Sequence, residues 1–597
     1  MAAYAQLITH TPEQIEKWKE VAPTNPSRVI RALRLAPGRS TKEGDHQGDI
    51  YPALEVVKEI SIEGRSGTES KAWVNLVDAR LAEALCKNVT ESVMFLDVLP
   101  NMPVELLEKA KKEIQSPYFR PLEILCNAAC CFHYPPTKTD KKVIAALRKY
   151  WSQMMDRIWN EPENTLEPSN SHILERMVIA QMVIRLVVTD PTFLSTFYDP
   201  SDLTVQIIAR HWKYSQTAED VKLTAAMLTM FLQPDHPRHV AYVRSNDLES
   251  ATSQLLSKML VGVGPTALAS KQKQTKALMA SFADHLVRLS GRSASAELDF
   301  FACIISVAKK DDTEPEITNA ALKSTPLWNA MFRLLKKSAK PTSETFHGQP
   351  IDPETEKTHR LYVMANVVGT TTNILHDASF EYPRECEPLI RIWANENLFG
   401  ALEETIEFLV DITGMTMQLG RLAGVLETVL GQGTPALRQL FRTQFPRWRT
   451  LGTLIRHDIK RQRATGPPKP IVQGKIPPPD SNVWDHGAWQ CFAALQASCI
   501  DLDTACGKRG CENIGTRLCT CEVVRYCSEG CQNKDMKDHQ IMCGHMQLLE
   551  HVVGRSKNGS SSNSGPPSIE KKGSARKSAP VSSSPRVEAV ENLEDLD

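Results

Sequence analysis

Apolar residues recur every three or four positions through most of the chain, the spacing that places side chains on one face of an α-helix. Residues 141–159 are a clear example, with apolar side chains at Ile144, Leu147, Trp151, Met154, Met155 and Ile158. Residues 298–307, 360–375 and 402–410 are further apolar helical stretches. We find no period-2 runs separated by Asn-Gly or Asp-Gly turns, which strands would require. The pattern predicts an all-α protein.

Helix start signals accompany several of these runs. Thr217 precedes Asp220 as a capping box ahead of residues 221–232, and Thr313-x-x-Glu316 with Pro315 opens the next run of this kind. Successive helices of about 12 to 20 residues, joined by short polar breaks, are typical of an α-solenoid of the armadillo or HEAT type. No residue signature recurs at a fixed period, so an irregular helical superhelix or two helical bundles remain alternatives.

Changes in composition divide the chain into segments. The predicted division is a mixed lead-in with one or two short helices (1–70), a solenoid-like helical domain (71–455), a proline-rich linker (456–480), a helix (481–505), a cysteine-rich stretch (506–543), a helical extension (544–554) and a disordered tail (555–597). Eleven serines between Ser556 and Ser584 mark the tail. The prolines after Gly466 favour polyproline II, so we expect the linker to hold the cysteine-rich stretch away from the helical body.

Charge and hydropathy restrict the location and the class of partner. The 70 basic and 70 acidic residues balance, so the chain has no overall electrostatic footprint for nucleic acid, and direct binding to nucleic acid is not expected. No apolar run approaches the length that spans a bilayer. The N-terminus lacks the apolar region of a secretory signal, which predicts a cytoplasmic or nuclear protein with reduced cysteines.

The cysteine-rich stretch carries the clearest chemistry, because residues 506–543 hold seven of the fifteen cysteines. Its ligand-type residues come in pairs: Cys506 and Cys511, Cys519 and Cys521, Cys527 and Cys531, and His539 and Cys543. Zn²⁺ takes four such ligands, so eight indicate two ions, and a module of about 40 residues needs the metals in order to fold. A disulfide knot is disfavoured by the predicted compartment, whereas an unrelated zinc ribbon remains an alternative. Spacing alone does not say which pairs share an ion.

This stretch resembles the MYND zinc finger. The resemblance is carried by Arg525-Tyr526-Cys527-Ser528, Cys531-Gln532, Asp535 and His539-x₃-Cys543. It implies an interleaved cross-brace of two structural zinc ions without a water ligand. The first zinc ligand set would be Cys506, Cys511, Cys527 and Cys531, and the second would be Cys519, Cys521, His539 and Cys543.

The chain departs from the family pattern at three places. The first knuckle is longer than the common C-x₂-C, the second is shortened to Cys519-Thr520-Cys521, and Met536 stands where the family carries Trp. The resemblance implies that proline-containing peptides contact Thr520, Gln532 and Met536, of which only Gln532 is unaltered. We therefore expect proline-motif binding to be weak or altered.

Enzyme signatures were sought because MYND fingers also occur in SET-type lysine methyltransferases. The chain has no Asn-His dipeptide for a SET cofactor stretch, no G-x₄-G-K-[ST], no G-x-S-x-G and no His-Glu pair. Gly262-x-Gly264 is better interpreted as a helix end than as a dinucleotide turn. Cys126, Cys130 and Cys131 with His133 are better interpreted as part of a helix core than as a metal site.

The sequence thus predicts a non-enzymatic, zinc-binding adaptor that docks other proteins. The resemblance implies regulatory work of the transcriptional or ubiquitin-pathway type. The alternative is a methyltransferase-like enzyme that carries a MYND finger, which the absence of strand signals disfavours.

Overall fold

The protein is represented by a computed structural model that describes most of the chain. The described residues are 11–36, 39–63, 70–91, 118–162, 170–234, 236–266, 268–309, 315–342, 345–346, 349–466, 487–501 and 503–548. The predicted tail (555–597), most of the predicted linker and the end of the predicted helical extension lie outside them.

The described part of the chain is all-α, as the periodicity predicts. Its first helices are α1 (Pro12–Thr24), α2 (Pro26–Leu33), α3 (Ile50–Glu63), α4 (Lys71–Asp78), α5 (Leu81–Glu91), α6 (Phe119–Cys130), α7 (Lys138–Asn160), α8 (Asn170–Thr189), α9 (Phe193–Tyr198), α10 (Thr204–Lys213), α11 (Ala218–Leu232), α12 (Pro237–Ser245) and α13 (Thr252–Val263). They are followed by α14 (Lys271–Arg288), α15 (Gly291–Lys309), α16 (Pro315–Lys323), α17 (Thr325–Ser338), α18 (Pro353–Glu381), α19 (Pro383–Asn395), α20 (Leu398–Leu409), α21 (Met415–Gln432), α22 (Pro435–Gln444), α23 (Trp448–Thr465), α24 (Ala488–Cys499) and α25 (Glu529–Cys543).

Short elements add to the regular structure of the described residues. Two 3₁₀ turns cover Gln47–Asp49 and Leu248–Ala251. Two antiparallel pairs of two-residue strands are present, β1 (Thr345–Phe346) with β2 (Gln349–Pro350), and β3 (Arg517–Leu518) with β4 (Arg525–Tyr526). Among the described helices, none combines the length and the apolar character that crossing a bilayer requires.

The structure can be compared with the predicted helix signals except for Thr313, which lies outside the described residues. Helix α7 buries all six of the apolar side chains that define its periodic face. The Thr217 hydroxyl accepts a hydrogen bond from the backbone N–H of Asp220, 3.1 Å away, at the start of α11. Gly262 lies in α13 and Gly264 ends that helix, so the motif is a helix end and not a phosphate-binding turn.

Helices α16 to α24 pack in three successive layers of three. The first members (α16, α19, α22), the second members (α17, α20, α23) and the third members (α18, α21, α24) each contact their counterpart in the next layer. The layers begin at Pro315, Pro383 and Pro435, which are unequally spaced in the sequence. This explains why no fixed repeat period is visible, and the armadillo or HEAT assignment stays a prediction.

The N-terminal segment is more regular than predicted. It contains three α-helices, α1 to α3, which pack against one another and bury residues such as Trp18, Val29 and Val57. The composition between α2 and α3 is mixed and gives no clear helical pattern. In the structure it includes the buried Asp45, whose carboxylate pairs with Arg28 and Lys17.

The prediction that a linker holds the cysteine-rich stretch away from the body is wrong. Helix α23 continues to Thr465, inside the predicted linker, and α24 packs on α21 while α25 packs on α23. Helix α24 buries Trp489, Phe492 and Leu495, as the apolar spacing of the predicted 481–505 helix indicated. Polyproline II preference is a local property and does not determine where the chain goes afterwards, whereas these apolar faces need a partner to cover them.

Candidate metal centre

The residues from Cys506 to Cys543 fold around a short hairpin and one helix. Strands β3 and β4 pair antiparallel, with Arg517 opposite Tyr526, and α25 follows directly. The Ser528 hydroxyl caps α25 by accepting a hydrogen bond from the backbone N–H of Cys531, 3.2 Å away. The long first knuckle turns through Gly510, whose φ of +69° is a conformation that glycine adopts without strain. Cap and turn together position the ligand-type side chains.

The first group of ligand atoms joins the first and third cysteine pairs. The sulfur of Cys527 lies 3.6 Å from that of Cys511 and 3.5 Å from that of Cys531, and the Cys531 and Cys511 sulfurs are 3.9 Å apart. Cys506 completes the group, with all four sulfurs within 4.8 Å of one another. Its sulfur also accepts a hydrogen bond from the backbone N–H of Cys527 at 3.4 Å.

The second group joins the second and fourth pairs. His539 is fully buried, and its Nε2 lies 3.4 Å from the Cys519 sulfur and 3.5 Å from the Cys521 sulfur. Cys543 is the fourth member, again with all ligand atoms within 4.8 Å of one another. The pairs therefore interleave along the chain, as the resemblance implied.

These distances fit tetrahedral zinc. With a Zn–S bond of about 2.3 Å and a Zn–N bond of about 2.0 Å, a tetrahedron places sulfurs about 3.8 Å apart and a sulfur about 3.5 Å from a nitrogen. Both groups contain four protein ligands, so tetrahedral coordination is complete without water. The two groups thus form two structural Zn²⁺ sites, one with four cysteines and the other with three cysteines and a histidine.

Burial shifts the pKa values of the ligand side chains when no metal is bound. Burial lowers the pKa of His539 to about 4, which keeps the imidazole neutral, the form that binds metal. Burial raises the pKa of the Cys506 thiol to about 12. The raised pKa reflects the free-energy cost of burying a charged thiolate. A divalent cation offsets that cost, because it replaces the thiol protons and neutralises the thiolates. Metal affinity is therefore expected to fall in acid as protons compete for the ligands.

Asp535, one of the residues that carry the resemblance, has a structural role. Its Oδ2 accepts a hydrogen bond from the Tyr526 hydroxyl at 2.7 Å and another from the indole N–H of Trp448 at 2.9 Å. Trp448 begins helix α23 of the body, and its ring meets that of His539 edge-on at 5.4 Å. Burial raises the pKa of Asp535 to about 6. The carboxylate thus links the hairpin and α25 to the last layer of the body.

The predicted peptide contacts lie on the outside of this unit. Thr520 is exposed in the turn of the second knuckle, and Gln532 and Met536 are half-buried one turn apart on α25. The contact of these residues with a peptide stays a prediction.

The other candidate cluster is not a metal site in the described part of the chain. Cys126 is buried in α6, Cys130 and Cys131 are half-buried, and His133 Nδ1 lies 3.2 Å from a carboxylate oxygen of Asp140. Groups of ligand atoms close enough to share an ion occur, within the described residues, only at the two sites above.

Sequence reasoning missed Trp448 as a residue of this site. It lies 87 positions from Asp535, and it is flanked in the sequence by Arg447 and Arg449. A tryptophan at the start of a helix gives no local signal of a carboxylate partner so far away in the chain.

Comparison with known proteins agrees with the geometry. The family model of the MYND finger matches residues 504–543. The match covers the two zinc sites and leaves the helical body unassigned. No curated protein matches the chain.

Proposed function

We propose that this protein binds partner proteins through its MYND finger and acts as a non-enzymatic, regulatory adaptor in the cytoplasm or nucleus. The MYND finger is a domain that generally mediates protein–protein interaction, and its presence is the observation that carries the proposal. The complete four-ligand shells support it further, because a zinc ion without an open position holds structure and does not activate water. An adaptor of the transcriptional or ubiquitin-pathway type is the finer form of the proposal.

The surface of the finger supports a docking role. Ile514 and Leu518, which flank the start of the hairpin, are 72% and 46% exposed. Large apolar side chains exposed this close to Thr520 are suited to contact with another polypeptide. We propose that partners approach the finger at these two exposed side chains.

The test of partner binding uses the full chain, because the finger packs on the body. Partners crosslinked in cells to the wild type would be compared with those of Ile514→Asp and Leu518→Asp. These variants should retain both zinc ions, since neither side chain is a ligand. We expect them to lose a defined subset of partners, whereas Leu268→Asp, at a 98% exposed position of the body, should not. Identical partner sets for all four proteins would contradict the proposal.

We propose that the finger binds proline-containing peptides more weakly than a finger with Trp at position 536 would. A Trp face offers a proline ring a larger and more rigid surface than Met536 does, a difference of about 1 to 2 kcal/mol or roughly five- to thirtyfold in affinity. Titration of a PxLxP peptide into the full chain should therefore show tighter binding for Met536→Trp than for wild type. Lys534→Trp, at an exposed position on another side of α25, is the matched control. Low-micromolar binding by wild type without improvement in Met536→Trp would show that Met536 lies outside the groove.

A further inference from the structure

The finger and the last layer of the helical body share a buried interface. Helix α25 packs on α23, the second member of that layer, and continues the row α17, α20, α23 by one more helix. A terminal element that covers the open face of a helical array is a cap, which such arrays require because their last face is otherwise exposed to water. Through this interface, zinc binding in the finger can affect the stability of the helical body.

Trp448 is the central residue of this interface. Its indole N–H lies 3.1 Å from the carbonyl oxygen of Gly507 and 2.9 Å from Oδ2 of Asp535. Gly507 directly follows a ligand of the first zinc site, and the Trp448 ring contacts His539 of the second site. The environment of this fully buried indole thus depends on chain segments that both zinc ions hold in place.

A charged cluster beside Trp448 joins the same elements. Oε2 of Glu403 on α20 accepts hydrogen bonds from Arg447 at 2.9 Å and from Arg509 at 2.6 Å. Arg509 belongs to the first zinc knuckle and also donates to the backbone carbonyl of Pro446 at 3.1 Å. Arg447 is almost fully buried, so loss of the knuckle would leave a buried carboxylate and guanidinium without part of their compensation.

Close backbone packing completes the interface. Gly452, one turn after Trp448 on α23, faces Ile541 of α25. A Cβ at position 452 would lie 2.8 Å from Cγ2 of Ile541 and 3.1 Å from its carbonyl oxygen. The two helices can approach this closely only because the residue is glycine.

From these contacts we infer that the MYND finger is a zinc-dependent cap of the helical body, so that zinc binding stabilises the last helix layer and the docked body in turn strengthens zinc binding. The reciprocity is a thermodynamic requirement, since two linked equilibria affect each other by the same factor. The inference concerns folding within the chain and does not depend on the partner-binding function proposed above.

Hydrogen exchange of the full chain with and without a zinc chelator tests whether zinc binding stabilises the last helix layer. Removal of zinc should speed amide exchange in α20 and α23 by about tenfold or more, and re-addition of Zn²⁺ should restore protection. Exchange in α10 and α11 should not change, because several helices lie between them and the interface. Faster exchange confined to residues 504–543 would overturn the inference.

Variants test whether the docked body strengthens zinc binding. The measurement is how well each variant retains zinc against a competing chelator. Trp448→Phe keeps an aromatic ring but removes the donor, and Gly452→Leu opposes the close approach of α23 and α25. We expect both to lose zinc about tenfold more readily than wild type. In zinc-loaded Gly452→Leu, exchange in α23 should already resemble that of the chelated wild type.

Trp212→Phe is the matched control, because the Trp212 indole also donates to a buried carboxylate, Glu297, at 2.8 Å, but within the body. It should leave zinc retention unchanged. Equal loss of zinc in Trp212→Phe and Trp448→Phe would indicate general destabilisation and overturn the inference. So would wild-type zinc retention in both Trp448→Phe and Gly452→Leu.

Discussion

At the scale of single residues, the protein repeatedly uses tryptophan to satisfy a buried carboxylate. An indole N–H donates to a carboxylate in four pairs, Trp18 with Asp49, Trp212 with Glu297, Trp489 with Asp458, and Trp448 with Asp535. A buried carboxylate without partners is strongly unfavourable, and a large side chain with one donor supplies both packing and a hydrogen bond. Two of these pairs, Trp212 with Glu297 and Trp448 with Asp535, join residues more than 80 positions apart.

Asp45 leads to a prediction about acid. The hydrogen bond from Arg28, with further contributions from Lys17 and Thr41, holds the pKa of Asp45 well below its ordinary range. A carboxyl with a lower pKa in the folded state contributes its full stability above the unfolded pKa of about 3.9 and loses it as the pH falls further. Asp45→Asn should therefore cost α1 and α2 about 3 kcal/mol of local stability at pH 5, seen as faster amide exchange, and this cost should shrink progressively as the pH falls from 4 to 2.

The control for this prediction is Asp78→Asn. Asp78 pairs with Lys142, but its side chain is 55% exposed, so its loss should cost less than about 1 kcal/mol at any of these pH values. An effect of Asp45→Asn that is as large at pH 2 as at pH 5 would show that the ionised form is not what stabilises these helices.

At the scale of helices, packing depends on a few positions where two backbones come very close. Gly262 on α13 is one, because an added Cβ would lie 2.3 Å from the carbonyl oxygen of Gln206 and 2.9 Å from Cβ of Ala209 on α10. Gly369, in the middle of α18, is the opposite case, since a Cβ there would meet nothing within 4 Å. The same residue type thus has different consequences at the two places.

This contrast predicts opposite effects for the same substitution. Gly262→Ala should lower the free energy of unfolding by about 2 kcal/mol, and with it the melting temperature, because α10 and α13 must move apart. Gly369→Ala should be neutral or stabilising by up to about 1 kcal/mol, because alanine is the better helix former. Thermal unfolding followed by circular dichroism distinguishes the two, and destabilisation by both variants would contradict the packing argument.

At the scale of the whole molecule, two zinc ions and the helical body form one connected structure. The ions hold the finger, and the finger covers the last helix layer through Trp448 and Gly452 and reaches α20 of the preceding layer through Glu403. The earlier helices are distant from this interface in the packing order, so we expect the effects of metal loss to fade toward the N-terminus.

Metal content provides the corresponding prediction. Native mass spectrometry of the full chain should detect two zinc ions, and Cys527→Ser should contain one or none because it removes a ligand from the first site. Cys499→Ser, which changes a cysteine of α24 outside both groups, should keep two ions. One ion in the wild type would refute the division of the eight ligands into two sites.

Most of the helical circular dichroism of Cys527→Ser should persist, because the body buries its own apolar core.

The sequence by itself determined the class of fold and the chemistry of the finger. Helical periodicity depends on neighbouring residues along one helix, so α7, α11, α15 and α18 could be recognised from their apolar spacing and caps. The eight zinc ligands could be recognised because metal coordination restricts both the type and the spacing of residues. Spacing left open which pairs share an ion, and resemblance to the MYND finger indicated the interleaved arrangement that the structure confirms.

Only the tertiary structure decided where the finger lies. A proline-rich segment after Gly466 suggested separation, because backbone preference is local, yet the segments on both sides of it are held together by contacts that are distant in sequence. The hydrogen bond from Trp448 to Asp535, the approach of Arg509 to Glu403 and the packing of Gly452 against Ile541 each join residues more than 80 positions apart. Such contacts depend on how the layers stack, and no pattern within a single helix encodes them.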